Sequence, residues 1–222
     1  MAFILHIDTA SSSASVSIAE NGIVIGAAEN KLLNEHASFL QPAIKKLLDD
    51  AGISFDKLDA IAVADGPGSY TGLRVGLASA KGLAYALNKP LITIGTLPLM
   101  AHAAAQAEKN DSIFYAPMID ARRMEVFTAV YDAAGNEQLA PSAKILDNDS
   151  YVAVLLRSKV LFFGNGAEKW KRICTHPNAL FSGDYSIVQS FAQCAFEAFK
   201  LKKFATLAYS VPQYLKEFYT GN

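Results

Sequence analysis

Positions 3–7 are apolar but for one histidine, positions 9–13 are small and rich in hydroxyls, and apolar and polar residues alternate over 14–18. That pattern predicts two strands joined by a turn. Asn21-Gly22 is a hairpin signal, since both residue types accept positive φ, and residues 23–28 form the returning strand of an antiparallel meander. Helical spacing follows. Ala37, Leu40, Ile44, Leu47, Leu48 and Ala51 share one face, with Asn34 as N-cap and Gly52 as C-cap. Pro42 lies inside this helix and predicts a kink or a late start. Residues 58–64 are apolar but for Asp59, as in a strand buried on both faces. A second helix runs from near Thr71 to just before Asn88-Lys89-Pro90, residues 91–94 are a strand, and Thr96 caps a third helix through Ala107.

The second half repeats the theme. Residues 113–119, 125–131 and 143–146 predict strands, with a turn at Gly135-Asn136. A helix over 149–156, a strand over 160–163 and helices near Glu168 and over 190–204 complete the chain. The order βββαβαβα and then a shorter βββαβα predicts two related α/β lobes. The first spans residues 1–101 and the second, smaller one 102–222, with the closing segment free to pack back on the first.

Composition narrows the function classes. Of 222 residues, 51% are hydrophobic and 18% charged, which leaves apolar surface for a partner. Lysine and arginine number 20 against 21 acids, for a net charge of −1. A nucleic-acid footprint ordinarily shows in the net charge, so this chain alone is a poor nucleic-acid binder. The densest basic clusters, Lys169-Trp170-Lys171-Arg172 and Lys200-Leu201-Lys202-Lys203, read as solvated helix faces. Cys174 and Cys194 form no disulfide framework, the opening residues lack a signal peptide's basic region, and Arg157 and Lys159 interrupt the longest apolar stretch. The expectation is a cytoplasmic protein with no membrane contact.

Gly66-Pro67-Gly68-Ser69-Tyr70-Thr71-Gly72-Leu73-Arg74-Val75-Gly76 follows a buried strand and opens a helix, where backbone N–H groups can receive an anion. It is not a Walker loop, because no lysine follows a glycine at the required distance. Thr71 occupies the third glycine of the dinucleotide fingerprint, and Ser69 lacks the flanking glycines of a hydrolase elbow. Two readings stand: a tight turn capped by Thr71, or a ligand loop. Gly72, Gly76, Ala80 and Ala84 recur every fourth residue, a stripe that admits another helix from within the fold or from a second subunit. His6, His36, His102 and His176 show no metal-ligand spacing, and Cys174-Thr175-His176 has no matching pair, so no metal site is predicted. Asp8, beside Thr9 and Ser11, either holds a magnesium–phosphate group or caps the turn. Asp120-Ala121-Arg122-Arg123-Met124-Glu125 is either a solvated turn or a buried ion network or partner contact.

Four segments in order carry a family resemblance: Ile4-Leu5-His6-Ile7-Asp8-Thr9, the glycine segment, Ile119 through Val126, and Pro212-Gln213-Tyr214-Leu215-Lys216. Together they resemble the bacterial TsaB (YeaZ) family over essentially the whole chain. Lys216 departs from the arginine usual at the end of the closing motif, which weakens any bidentate contact there. The resemblance implies a two-lobed actin/Hsp70/sugar-kinase-like fold with mixed sheets and a reduced second lobe. It implies a non-catalytic scaffold that works with TsaD and TsaE in moving a threonylcarbamoyl group from its adenylate to N6 of the adenosine beside the tRNA anticodon. The alternative is an enzyme of the same fold, a nucleotide-dependent transferase or a glycopeptidase.

TsaD, the related catalytic subunit, holds its metal in the segment matching Gly95 to Met100, and the ligand positions here hold Thr96 and Met100, neither of which serves. No catalytic residue and no cofactor are expected in this chain. Its partners are then a TsaD-like subunit, a TsaE-like ATPase and tRNA through the complex, and a second copy when free. The partner surface is expected on the first-lobe helices, at Leu40, Ile44, Leu47, Leu48, Gly72, Gly76, Ala80 and Leu83, with a vestigial nucleotide site at Asp8, Thr9 and Ser11. On this view Gly76→Leu folds but no longer binds TsaD.

Overall fold

A computed structural model gives the fold and describes residues 1–11, 13–30 and 36–216. The chain forms two compact units, Met1–Thr96 with Ile187–Gln213, and Leu97–Ser186 with the residues from Tyr214 on.

In the first unit, β1 (Phe3–Asp8), β2 (Ala14–Glu20) and β3 (Ile23–Asn30) make an antiparallel meander. Asn21 and Gly22 turn between β2 and β3 at φ 49° and 82°, the conformation their sequence calls for. Helix α1 (His36–Ala51) runs through Pro42 without interruption and ends at Gly52, φ 67°. The expected cap Asn34 lies outside the described residues. A 3-10 turn, Phe55–Lys57, precedes β4 (Ala60–Ala64), which is parallel to β1 on one side and to β5 (Leu91–Ile94) on the other. All five β4 residues are buried, which explains a run with no polar alternation.

Helix α2 (Tyr70–Leu87) is capped by Ser69 rather than Thr71: the Ser69 Oγ accepts from the Gly72 N–H at 3.3 Å. Leu5, Ile7, Leu40, Ile44, Leu48, Ile61, Val63 and Leu77 form the core between sheet and helices. Helix α6 (Val188–Lys200) completes the unit, with Phe191 edge-on to His6 at 5.2 Å and the Gln189 side chain donating to Gly22 O.

The second unit begins with α3 (Thr96–Glu108), so the expected boundary after residue 101 falls inside a helix. Then come β6 (Ile113–Asp120), β7 (Glu125–Tyr131), β8 (Glu137–Ile145), α4 (Val152–Leu155), β9 (Lys159–Phe163), α5 (Ala167–Lys171) and β10 (Ala179–Phe181). The first sheet runs β3-β2-β1-β4-β5 and the second β8-β7-β6-β9-β10, the same order with the same strand directions. This duplicated pattern of mixed sheets is the expected actin/Hsp70/sugar-kinase-like α/β class.

The reduction of the second lobe lies in its helices. Its crossovers α4 and α5 have 4 and 5 residues, where α1 and α2 have 16 and 18. Leu97, Ala101 and Ala104 of α3 pack on Ile113, Tyr115, Tyr131 and Leu161, while Phe162, Tyr151 and Trp170 fill the opposite face of the sheet. Among the described residues no helix is long and apolar enough to cross a membrane.

Candidate functional site

Three glycines press α2 against the turn between β1 and β2. A Cβ on Gly68 would stand 2.1 Å from Ala10 O, one on Gly72 2.0 Å from Thr9 O, and one on Gly76 2.2 Å from Thr9 Oγ1. Any side chain there overlaps its neighbour. The contact is also hydrogen-bonded: the Ser69 N–H donates to Ala10 O at 2.7 Å, and the Thr9 hydroxyl donates to Gly72 O at 2.7 Å. Thr9 is wholly buried and Asp8 nearly so, and the Asp8 carboxylate accepts from the Ala10 N–H at 2.9 Å, closing an Asx turn. Ser11 bonds to Ser13. Asp8, Thr9 and Ser11 are thus brought together in one turn. The turn's own backbone and the Thr9 side chain fill the ground between it and the glycine segment, so the segment works as a tight packing turn.

The residues expected to carry the partner surface lie elsewhere than expected. Leu40, Ile44, Leu47 and Leu48 are 0%, 0%, 7% and 1% exposed, all in the first unit's core. Gly72, Gly76 and Ala80 are buried, and Leu83 is half-buried against the same core. An amphipathic helix covers its own sheet first, and the apolar spacing cannot tell that sheet from a partner. The expectation for Gly76→Leu falls with this: the side chain would strike Thr9 inside the unit.

What α2 does present outward is Thr71, Arg74, Ala78, Gly82, Tyr85 and Ala86. Ala78, Gly82 and Ala86 form a second four-residue stripe, nothing lies within 4 Å of a Cβ on Gly82, and Tyr85 is 80% exposed. The Arg74 guanidinium sits over the Tyr70 ring at 4.0 Å. This second stripe has the same spacing in the sequence as the first, Ala78, Gly82 and Ala86 against Gly72, Gly76, Ala80 and Ala84.

The remaining motif segments meet one another. The Gln213 N–H donates to Asp65 O at 2.7 Å and its amide to Asp65 Oδ2 at 3.2 Å, next to Gly66. Burial raises the Asp65 carboxyl above its usual range, opposed by hydrogen bonds from Gln213 and Thr93. In the second unit Lys216 pairs with Glu125, joining the closing motif to the β6–β7 turn through one ammonium where an arginine would make two contacts. In that turn Asp120 Oδ1 accepts from the Arg122 N–H at 2.6 Å and from Lys169 Nζ at 2.7 Å, and Lys169 also donates to Glu125 O. The turn is therefore an ion network with exposed arginines.

The other candidates are structural. His176 Nδ1 accepts from the Asn178 N–H, Cys174 and Cys194 are free thiols, and no group of three metal-ligating side chains occurs among the described residues. Thr96 is buried, its N–H donating to Gly66 O, and Met100 is half-buried.

The family model described as TsaD, tRNA N6-adenosine threonylcarbamoyltransferase, matches residues 17–218, which sets the class of protein. The tRNA threonylcarbamoyladenosine biosynthesis protein TsaB of Bacillus subtilis is 31% identical over 173 residues, 77% of this chain and 74% of its own. TsaB of Escherichia coli is 37% identical over 133 residues, 60% of this chain and 56% of that protein. A Pseudomonas aeruginosa crystal structure, described as similar to the peptidase YeaZ, superposes with TM-score 0.81 at 27% identity, covering 97% of this chain and all of the other. The chain belongs to the TsaB family.

Proposed function

We propose that this chain is a non-catalytic subunit of tRNA threonylcarbamoyl transfer that holds a TsaD-like catalytic subunit through the first-unit helices. The observation that carries the reading is the packing of Gly68, Gly72 and Gly76 onto the β1–β2 turn. Ala10 O, Thr9 O and the Thr9 hydroxyl fill the space in front of the glycines, and Asp8 and Thr9 are engaged in hydrogen bonds within this contact. Family membership supplies the reaction, and the built-over loop argues for a supporting part in it.

The partner face is the outward side of α2. Ala78, Gly82 and Ala86 let a second helix approach closely, and Tyr85 and Arg74 are side chains of the kind that anchor interfaces. A second copy of the chain uses the same face when the partner is absent. A TsaE-like ATPase and tRNA join through the complex, in the cytoplasm, and the chain needs no cofactor of its own.

Size-exclusion chromatography of this chain with its TsaD-like subunit tests the reading. A single heterodimer peak is expected, displacing any homodimer. Two independent peaks at micromolar concentration would refute it. Metal- or ATP-dependent turnover by the purified chain alone would favour the enzyme reading instead.

A further inference from the structure

The β6–β7 turn carries two positive charges that no ion pair with another described residue takes up. Its flanking carboxylates are both taken: Lys169 holds Asp120, and Lys216 holds Glu125. Arg122 and Arg123, between them, are exposed and make no side-chain ion pair with another described residue. Both sit in the left-handed region, at φ 71° and 49°. An L-residue with a Cβ pays roughly 1–2 kcal/mol for that conformation, and asparagine or glycine would adopt it more easily. The turn is nonetheless firmly built. The Ala121 N–H donates to Glu125 O at 3.1 Å, the Glu125 N–H donates to Arg122 O at 3.1 Å, and the Leu146 N–H, just past the end of β8, donates to Met124 O at 2.8 Å. Lys144 of β8 stands opposite Val126, just behind the turn. Two guanidiniums are thus displayed on a braced tip.

We propose that Arg122 and Arg123 contact the phosphodiester backbone of the tRNA once the complex has bound it. This rests on the proposed role in threonylcarbamoyl transfer and deepens it. A guanidinium presents a planar fork of donors that fits a phosphate, and two of them on one rigid turn lose little freedom on engaging it. The chain's net charge of −1 provides no long-range attraction to RNA. A contact of this kind therefore acts locally, on RNA delivered by the partner, which fits tRNA binding through the complex alone.

The test uses the complex with the TsaD-like subunit, a fluorescent tRNA, and Arg122→Asn with Arg123→Asn together. Asparagine tolerates the left-handed region, so the turn survives and only the charge leaves. Lys202→Asn with Lys203→Ala, exposed just past the end of α6, removes the same charge elsewhere, asparagine again suiting the φ of 53° at position 202. The asparagine variant is expected to melt like the parent and co-elute with the partner. Its tRNA affinity should fall about tenfold near 0.15 M salt, and the slope of log affinity against log salt should flatten by about 1–2. The lysine variant should match the parent.

Equal affinity and slope in the parent and asparagine complexes would overturn the inference. So would loss of co-elution in the asparagine variant, because the arginines would then be touching protein. If the parent itself forms no complex, the proposed function fails first and the inference falls with it.

Discussion

Gly72→Ala and Gly82→Ala make the same chemical change in the same helix, and the structure predicts opposite outcomes. Replacing glycine by alanine inside a helix stabilises by about 1 kcal/mol through backbone entropy and propensity. At Gly82 nothing lies within 4 Å of the new methyl, so that gain should appear whole. At Gly72 the methyl would stand 2.0 Å from Thr9 O, a backbone atom in a turn tied down by the Asp8 and Ser69 hydrogen bonds. Relief requires α2 to lift from β1, which stretches the 2.7 Å bond from the Thr9 hydroxyl to Gly72 O and opens the packing beneath. Overpacking of this kind costs about 1–3 kcal/mol, and the weakened buried bond adds about 1 kcal/mol. Set against the helix gain, Gly72→Ala should lose about 2 kcal/mol net. The two variants then differ by about 3 kcal/mol, or roughly 6–12 °C in melting temperature for a chain of this size. Thermal melts by circular dichroism at one protein concentration read this directly. Equal melting temperatures, or a more stable Gly72→Ala, would refute the packing of α2 on the β1–β2 turn.

Gly82→Leu should fold at least as well as the parent and fail to co-elute with the TsaD-like subunit; unchanged co-elution would move the partner to another face. His6 is buried with Nδ1 at 3.2 Å from Ser17 O, and burial, opposed by that bond, pushes its pKa from 6.5 down to about 4. Above pH 6.5 it is neutral folded and unfolded alike; as pH falls toward 4 only the unfolded chain takes the proton. Stability therefore drops by about 3 kcal/mol across that window, and urea titrations at pH 7.5 and 4.5 should show His6→Gln removing most of the difference. Lys169→Met leaves Asp120 without its cation and takes from Glu125 O one of its two donors, the Ala121 N–H remaining, for a loss of about 1 kcal/mol by urea denaturation; no loss would mean that the turn stands without the network.

The first sheet was legible because its signals are local. Asn21-Gly22 dictates a hairpin, and the unbroken apolar run through Ala64 belongs to a strand between two others. The second sheet was harder to read. β8 shifts register twice against β7 and carries Gln138, Pro141 and Ser142, so its alternation is broken and only its end was predicted. β10 has 3 residues, too few for any period. The cap of α2 fell to Ser69 because only an oxygen three residues before Gly72 reaches its N–H. The site was the least legible part. Leu40 and Gly76 announce a contact face, but spacing does not say whether β1 or another subunit fills it. The pairing of Glu125 with Lys216, 91 residues apart, is a product of the fold alone.

The most direct test of the account is an omission assay: threonylcarbamoyl incorporation into tRNA by the TsaD-like and TsaE-like proteins, with and without this chain. The account predicts product only when the chain is present, and equal product when it carries Asp8→Ala, since Asp8 closes a turn and holds no reacting group. Full product without the chain, or product abolished by Asp8→Ala in a chain that still folds and co-elutes, would contradict it.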